Sequence, residues 1–173
     1  MKVLKFILAL TILSGSINAV YAEELQLKER LDCSIQAGLE YGIPIDILLA
    51  ISSIENGQPG KAYKNKDGSI DYGVMQINSI YLKDLKDTYN RIVTPEEILN
   101  KTCYAFEIAA FKISEHLKND DGSFLKKIAN YHSKTPDLNR NYQTKLIQHS
   151  SIWRNYLKQN KYTVYQWSYS DLK

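Results

Sequence analysis

The residue with the most pointed chemistry is Glu55. It closes a run in which Ile45, Ile47, Leu48, Leu49, Ala50, Ile51 and Ile54 are aliphatic, and Asn56 and Gly57 follow at once. A carboxyl at the end of so apolar a segment is poorly hydrated, which disfavours its charged form. A carboxyl that keeps its proton near neutral pH meets the requirement for a general acid. The plainer reading is an exposed acid in the last turn of a helix. Further on, Gly73-Val74-Met75-Gln76-Ile77-Asn78-Ser79 alternates apolar Met75 and Ile77 with the amides Gln76 and Asn78. That pattern suits an extended piece that buries one face and offers amides from the other. Amides pair well with sugar hydroxyls and N-acetyl groups, and Gly73 permits close backbone approach. A strand or turn without a ligand fits the same spacing. Tyr131 and His132 end a short amphipathic segment, where a packed aromatic and a solvated imidazole are the ordinary expectation.

The three segments read together as ISSIEN (51–56), DYGVMQINS (71–79) and IANYHSKTP (128–136). In this order they resemble the three signatures of the lysozyme-like lytic transglycosylases, in particular the small specialised ones that accompany conjugation, pilus and secretion machines. The resemblance covers roughly residues 31–153. It implies that Glu55 is the catalytic acid, that Gly73, Met75, Gln76 and Asn78 line a glycan cleft, and that Tyr131, with His132 and Ser133 in the same motif, stands beside the acid. Where the family commonly has serine after the glutamate, this chain has Asn56.

KDGSIDYGVMQINS (66–79) also resembles the matching stretch of C-type lysozymes, and Asp71 falls where those enzymes carry their second carboxylate. Two mechanisms follow. A retaining glycosidase divides the work between an acid and a nucleophile, here Glu55 and Asp71. A lytic transglycosylase needs Glu55 alone, first as acid and then as base, and leaves a 1,6-anhydro ring on N-acetylmuramic acid. From the residues themselves Asp71 also reads as a turn aspartate, because Asp67, Gly68 and Ser69 signal a tight turn just before it. A glycan-binding assembly factor without turnover is the third reading. None of these needs a metal or organic cofactor, since acid catalysis with help from the substrate's N-acetyl group suffices.

The elements that must hold these residues are mostly helical. Leu27, Leu31, Ile35 and Leu39 predict one face of a helix over 25–40 that carries Cys33. Pro44 suits a first helical turn, with Asp46 near the positive helix end, and the aliphatic run after it predicts a helix buried on all sides. Thr94, Pro95 and Glu97 form a capping box. Phe106, Ala109, Ala110, Ile113 and Leu117 predict a buried helix starting near Cys103, Ser123 to His132 a short one, and Pro136 opens a long one with Leu138, Tyr142, Leu146, His149, Trp153 and Tyr156. The fold class expected is mainly α, an α+β lysozyme-like domain over 23–158 with a small irregular or β segment around 57–78 flanking the cleft. Tyr162 to Tyr169, within an aromatic-rich tail over 159–173, reads either as an added strand or as a sticky tail.

The chain has 173 residues, 22 basic and 19 acidic, for a net charge of +3. That balance gives no reason to expect a nucleic-acid partner. Residues 1–22 pair Lys2 and Lys5 with an apolar core and small residues up to Ala22, the pattern of a secretory signal cleaved after Ala22. The apolar core is too short to span a bilayer, and no later segment is long enough either, so a soluble periplasmic protein is expected. In such a compartment Cys33 and Cys103 are expected to pair, since they and the histidines form no recognisable zinc spacing. The partners implied by the resemblance are peptidoglycan glycan strands and components of a secretion, conjugation or pilus machine.

Overall fold

The computed structural model describes the backbone of residues 2–162 and the side chains of residues 21–162. Most of the expected tail strand therefore lies outside the described residues. The chain folds as helix α1 (Lys2–Tyr41), α2 (Ile45–Glu55), strands β1 (Ala62–Lys64), β2 (Ile70–Tyr72) and β3 (Ile77–Asn78), then α3 (Ser79–Tyr89), α4 (Pro95–Asn100), α5 (Thr102–Asn119), α6 (Phe124–Ala129) and α7 (Pro136–Gln159). The strands make one antiparallel sheet in the order β1-β2-β3, with Tyr63 opposite Asp71 and Asp71 opposite Asn78. This is the mainly α, α+β lysozyme-like architecture that the sequence predicts. Among the described residues no helix is long and apolar enough to cross a membrane.

α2 is the axis of the molecule. Every residue from Ile45 to Ser52 is buried, so the helix is enclosed by α1, α5 and α7 and can bury aliphatic side chains on all its faces. Fully burying each such side chain stabilises the fold by roughly 1.5–3 kcal/mol before entropy is counted. Its first turn carries the buried Asp46, whose Oδ2 accepts from Arg154 Nε at 3.1 Å and Nη2 at 2.8 Å, fastening the start of α2 to α7. Its far end is fastened too. Trp153 Nε1 donates to Ser53 Oγ at 2.9 Å, and Arg30 Nη2 of α1 donates to the Gly57 carbonyl at 3.1 Å.

α1 begins well before Leu25, at Lys2. Its expected buried face holds only in part: Leu31 is buried, but Leu39 is 70% exposed. A helix repeats every 3.6 residues, so a strict four-residue row drifts about 40° per step and has left the core by Leu39. Cys33, Ser34 and Ala37 take the inward positions instead. Cys33 is disulfide-bonded to Cys103, 70 residues along, which joins α1 to the start of α5. A loop of that length restricts the unfolded chain by about 4 kcal/mol in the chain-entropy account.

Two local expectations are corrected. Gly73–Gln76 is not extended: the Gln76 N–H returns to the Gly73 carbonyl at 3.1 Å, and Gln76 takes a positive φ of 48°, so the chain makes a turn before β3. The segment expected to be helical from Ser123 to His132 stops at Ala129, and Tyr131 and His132 lie on a tight turn whose N–H groups reach back to Ile128 and Ala129. The capping box at Thr94 and Glu97 forms as its residues predict.

Candidate active site

Glu55 is the last residue of α2, and Asn56 after it takes the left-handed conformation (φ 51°) with its N–H returned to the Ser52 carbonyl. Asparagine tolerates that conformation better than serine or most other residues, which gives a backbone reason for its presence here. The turn aims Gly57 at the sheet. A Cβ on Gly57 would lie 2.1 Å from the Gly73 carbonyl oxygen, and one on Gly73, at φ 63°, would lie 2.7 Å from the Ile98 carbonyl. These two glycines allow the end of α2 and the 73–76 turn to meet at backbone distance.

Between them opens a cleft of about 320 Å³ lined by Glu55, Asn65, Asp71, Gln76, Asn78, Lys112, Tyr131 and His132. Of the residues singled out in the sequence, Glu55, Asp71, Gln76, Asn78, Tyr131 and His132 are thus brought together. Gly73 and Met75 are not on the surface of the cleft. Met75 is wholly buried, because the turn directs its side chain into the core, and Gly73 is covered by Ile98. Both act from behind the wall: Gly73 offers its carbonyl to Gln76 Nε2 at 2.8 Å, and Met75 offers its own to the Tyr131 hydroxyl at 2.6 Å.

Asp71 is a strand residue, not a turn residue. The turn acid is Asp67, whose Oδ1 accepts from the Ser69 N–H and hydroxyl, while Asp71 sits in β2 facing the cleft. Each of its oxygens is held by an amide: Oδ2 by Asn65 Nδ2 at 2.8 Å and Oδ1 by Asn78 Nδ2 at 2.7 Å. Asn78 also caps α3, since its Oδ1 accepts from the Ile80 N–H at 2.8 Å.

The surroundings of Glu55 differ. One phenol, Tyr142 of α7, donates to its Oε1 at 2.6 Å. Burial pushes the Glu55 carboxyl above its ordinary range; the Tyr142 hydrogen bond and the charges of Lys112 and Lys145 pull the other way, and Asp71 adds to the rise. Burial, followed by the nearby Glu55 carboxylate, raises the Tyr142 phenol well above its usual value, so it remains a donor. The His132 ring stacks on Tyr142, with centroids 4.9 Å apart and planes within 6°, and burial lowers its proton affinity with help from Lys145 and Lys112. Past His132 the surface continues into a second hollow, where Leu138, Asn141 and Lys145 are also found.

Three residues of this site were not singled out in the sequence as site residues. Tyr142 reads there only as one residue of the long helix opened by Pro136, and neither Asn65 nor Lys112 is given a reading of its own. A faint signal existed for Lys112, which stands one helical turn after the buried Ile108 and next to the buried Ile113, on a stripe where a charge is out of place. Among the described residues no three histidines, cysteines or acids gather in a group able to hold a metal ion.

No family model matches the chain. Individual proteins do. The invasion protein IagB of Salmonella typhimurium is 31% identical over 132 residues, spanning 73% of this chain and 76% of IagB. IagB of Salmonella typhi matches to the same extent, and protein IpgF of Shigella flexneri is 30% identical over 130 residues, spanning 75% of this chain and 82% of IpgF. With a shared length of that order on both sides, this chain belongs to the family of IagB and IpgF.

Proposed function

We propose that the protein is a peptidoglycan lytic transglycosylase that cleaves the β-1,4 bond between N-acetylmuramic acid and N-acetylglucosamine. The observation that carries this reading is the Glu55 carboxyl. It lies partly buried in an open cleft, has its proton favoured by burial, and is aimed by a single phenol. The motif resemblance across 51–56, 71–79 and 128–136 supports the same reading. Glu55 gives its proton to the glycosidic oxygen as the C1–O bond breaks. The resulting carboxylate then takes the proton from the C6 hydroxyl of the muramic residue as that oxygen bonds to C1. The proton returns to Glu55, no water is consumed, and the product ends in a 1,6-anhydro ring. Tyr142 steadies the carboxyl through both steps, and Gln76, whose amide has one N–H committed to the Gly73 carbonyl, offers the rest of its amide to the sugar.

Asp71 favours a second reading. It faces the same cleft with both oxygens fixed, the arrangement a hydrolytic muramidase would need in order to use Glu55 as acid and Asp71 as nucleophile. Digestion of purified sacculi followed by mass spectrometry separates the two. Anhydromuropeptides are expected; reducing-end muropeptides would assign hydrolysis, and no release at all would favour a glycan-binding role.

The biological setting we propose is local opening of the cell wall for an envelope-spanning secretion, conjugation or pilus machine. That setting rests on the resemblance and agrees with the name "invasion protein" that IagB carries. Export through residues 1–22, with a periplasmic domain after Ala22, belongs to the same proposal, and the Cys33–Cys103 bond suits an oxidising compartment.

A further inference from the structure

Lys112 is a lysine where the fold has little use for one. It projects from the middle of α5 into the cleft, with buried Ile108 and Ile113 close to it on the same helix. Its ammonium is held on several sides. Nζ donates to the Tyr131 carbonyl at 2.8 Å and lies 4.5 Å from the centroid of the Tyr131 ring and 4.9 Å from that of Tyr81. Both ring distances are within cation–π range. The Tyr81 hydroxyl is buried without a hydrogen-bond partner, so that ring serves the ammonium through its face and not its oxygen. Tyr131, in turn, passes its own hydroxyl to the Met75 carbonyl. One chain of contacts therefore runs from α5 through the 131–132 turn to the 73–76 turn, and a fixed positive charge sits at its root.

The groups facing this charge come from every element around it: Glu55 from α2, Asp71 from β2, Tyr81 and Asp84 from α3, Tyr131 and His132 from the turn after α6, and His116 from α5 itself. Three are acids and two are histidines. A lysine pointed only at the core would gain nothing from such company, whereas one that must stay charged beside a dry carboxyl gains the rings and the carbonyl as replacements for water.

We propose that Lys112 is a positioning residue for Glu55, acting through its caged charge on the carboxyl and through the Tyr131 carbonyl on the turn beside it. The inference rests on the acid–base reading of Glu55. During turnover Glu55 alternates between neutral acid and charged base, and a fixed cation nearby steadies the charged form without donating a proton to the sugar. Burial pushes the ammonium itself down to about 8, against the pull of Glu55, Asp71 and Asp84, so its charge is present through the neutral range and fades above it.

The test compares Lys112→Met, Lys112→Gln and Lys112→Arg in the full protein. Lys112→Met removes both the charge and the carbonyl bond; Lys112→Gln removes the charge but keeps an N–H for the Tyr131 carbonyl; Lys112→Arg keeps the charge. The first readout needs no activity: the carboxyl 13C titration of Glu55, assigned by its loss in Glu55→Gln. The Glu55 midpoint should rise in both neutral variants and stay close to wild type in Lys112→Arg. The second readout is the alkaline limb of glycan-strand cleavage, which should move the same way, with kcat down about tenfold and KM little changed in Lys112→Gln. Equal Glu55 midpoints in all folded variants would overturn the proposal, as would a uniform loss of activity at every pH with the limb unmoved. If Lys112→Met does not fold, Lys112→Gln decides the question. A midpoint that moves while Glu55→Gln remains active would leave the Lys112 coupling in place and remove the assigned function of Glu55.

Discussion

The two walls of the cleft carry one carboxyl each and treat it in opposite ways. On the helical wall, Glu55 ends an aliphatic helix, receives one phenol, and is deprived of water until its proton is favoured. On the sheet wall, Asp71 receives an amide on each oxygen from Asn65 and Asn78 and stands on the middle strand of a three-strand ladder. One wall favours a carboxyl's proton; the other fixes where a carboxyl sits. A site built only for binding would have no need of the first treatment, and a one-carboxyl enzyme has no evident need of the second.

The largest effect that would break this contrast is at Glu55. Glu55→Gln is expected to lower release of fragments from sacculi by at least about a hundredfold, the range of a lost general acid. It should also change stability with a definite sign. Because burial raises the folded-state proton affinity of Glu55, wild type is helped by the protonated form at low pH, and that help is lost as pH rises through the folded value. The melting temperature of Glu55→Gln should therefore gain on that of wild type as pH rises, and thermal melts across the acid-to-neutral range would show it.

Asp71→Asn comes next and sharpens the comparison from the other side. The single-carboxyl route predicts a loss of no more than about tenfold with anhydro products retained. A collapse to the level of Glu55→Gln, read in the same digest, would assign Asp71 the part of nucleophile. Tyr142→Phe should have a smaller effect. Removing the donor raises the proton affinity of Glu55 further, so the alkaline limb of the activity profile moves upward, and stability falls by about 1 kcal/mol, the net worth of one hydrogen bond. The smallest change is expected from Asn78→Ala, which should cost about 1 kcal/mol through the lost cap of α3, measurable by denaturant titration, together with a looser Asp71.

What the chain discloses before folding divides along the same line. The helical wall was legible because its evidence is local: the aliphatic saturation of 45–54 can belong only to an enclosed helix, and an acid at its end is conspicuous. Thr94 and Glu97 likewise announce α4 within four residues. The sheet wall was legible as a motif but not as a shape. Alternation in 73–78 suggested an extended run, whereas the positive φ of Gln76 and the close approach of Gly57 to Gly73 bend it into a turn. That approach joins residues distant in sequence and leaves no periodic trace. Tyr142 was hidden for the same reason: it obeys the period of its own helix, and only the packing of α7 against α2 brings it to Glu55.

Asn78 carries a consequence for how such a protein can change over generations. Its carbonyl oxygen starts a helix while its amide nitrogen steadies an acid, so a single codon answers to two unrelated demands. Aspartate would keep the first and set like charge against like in the second; serine would keep the first and fall short of the second. Variation at this position is therefore filtered twice, and descendants that lose Asp71 should be recognisable by the sudden freedom of their seventy-eighth residue to become any good helix starter.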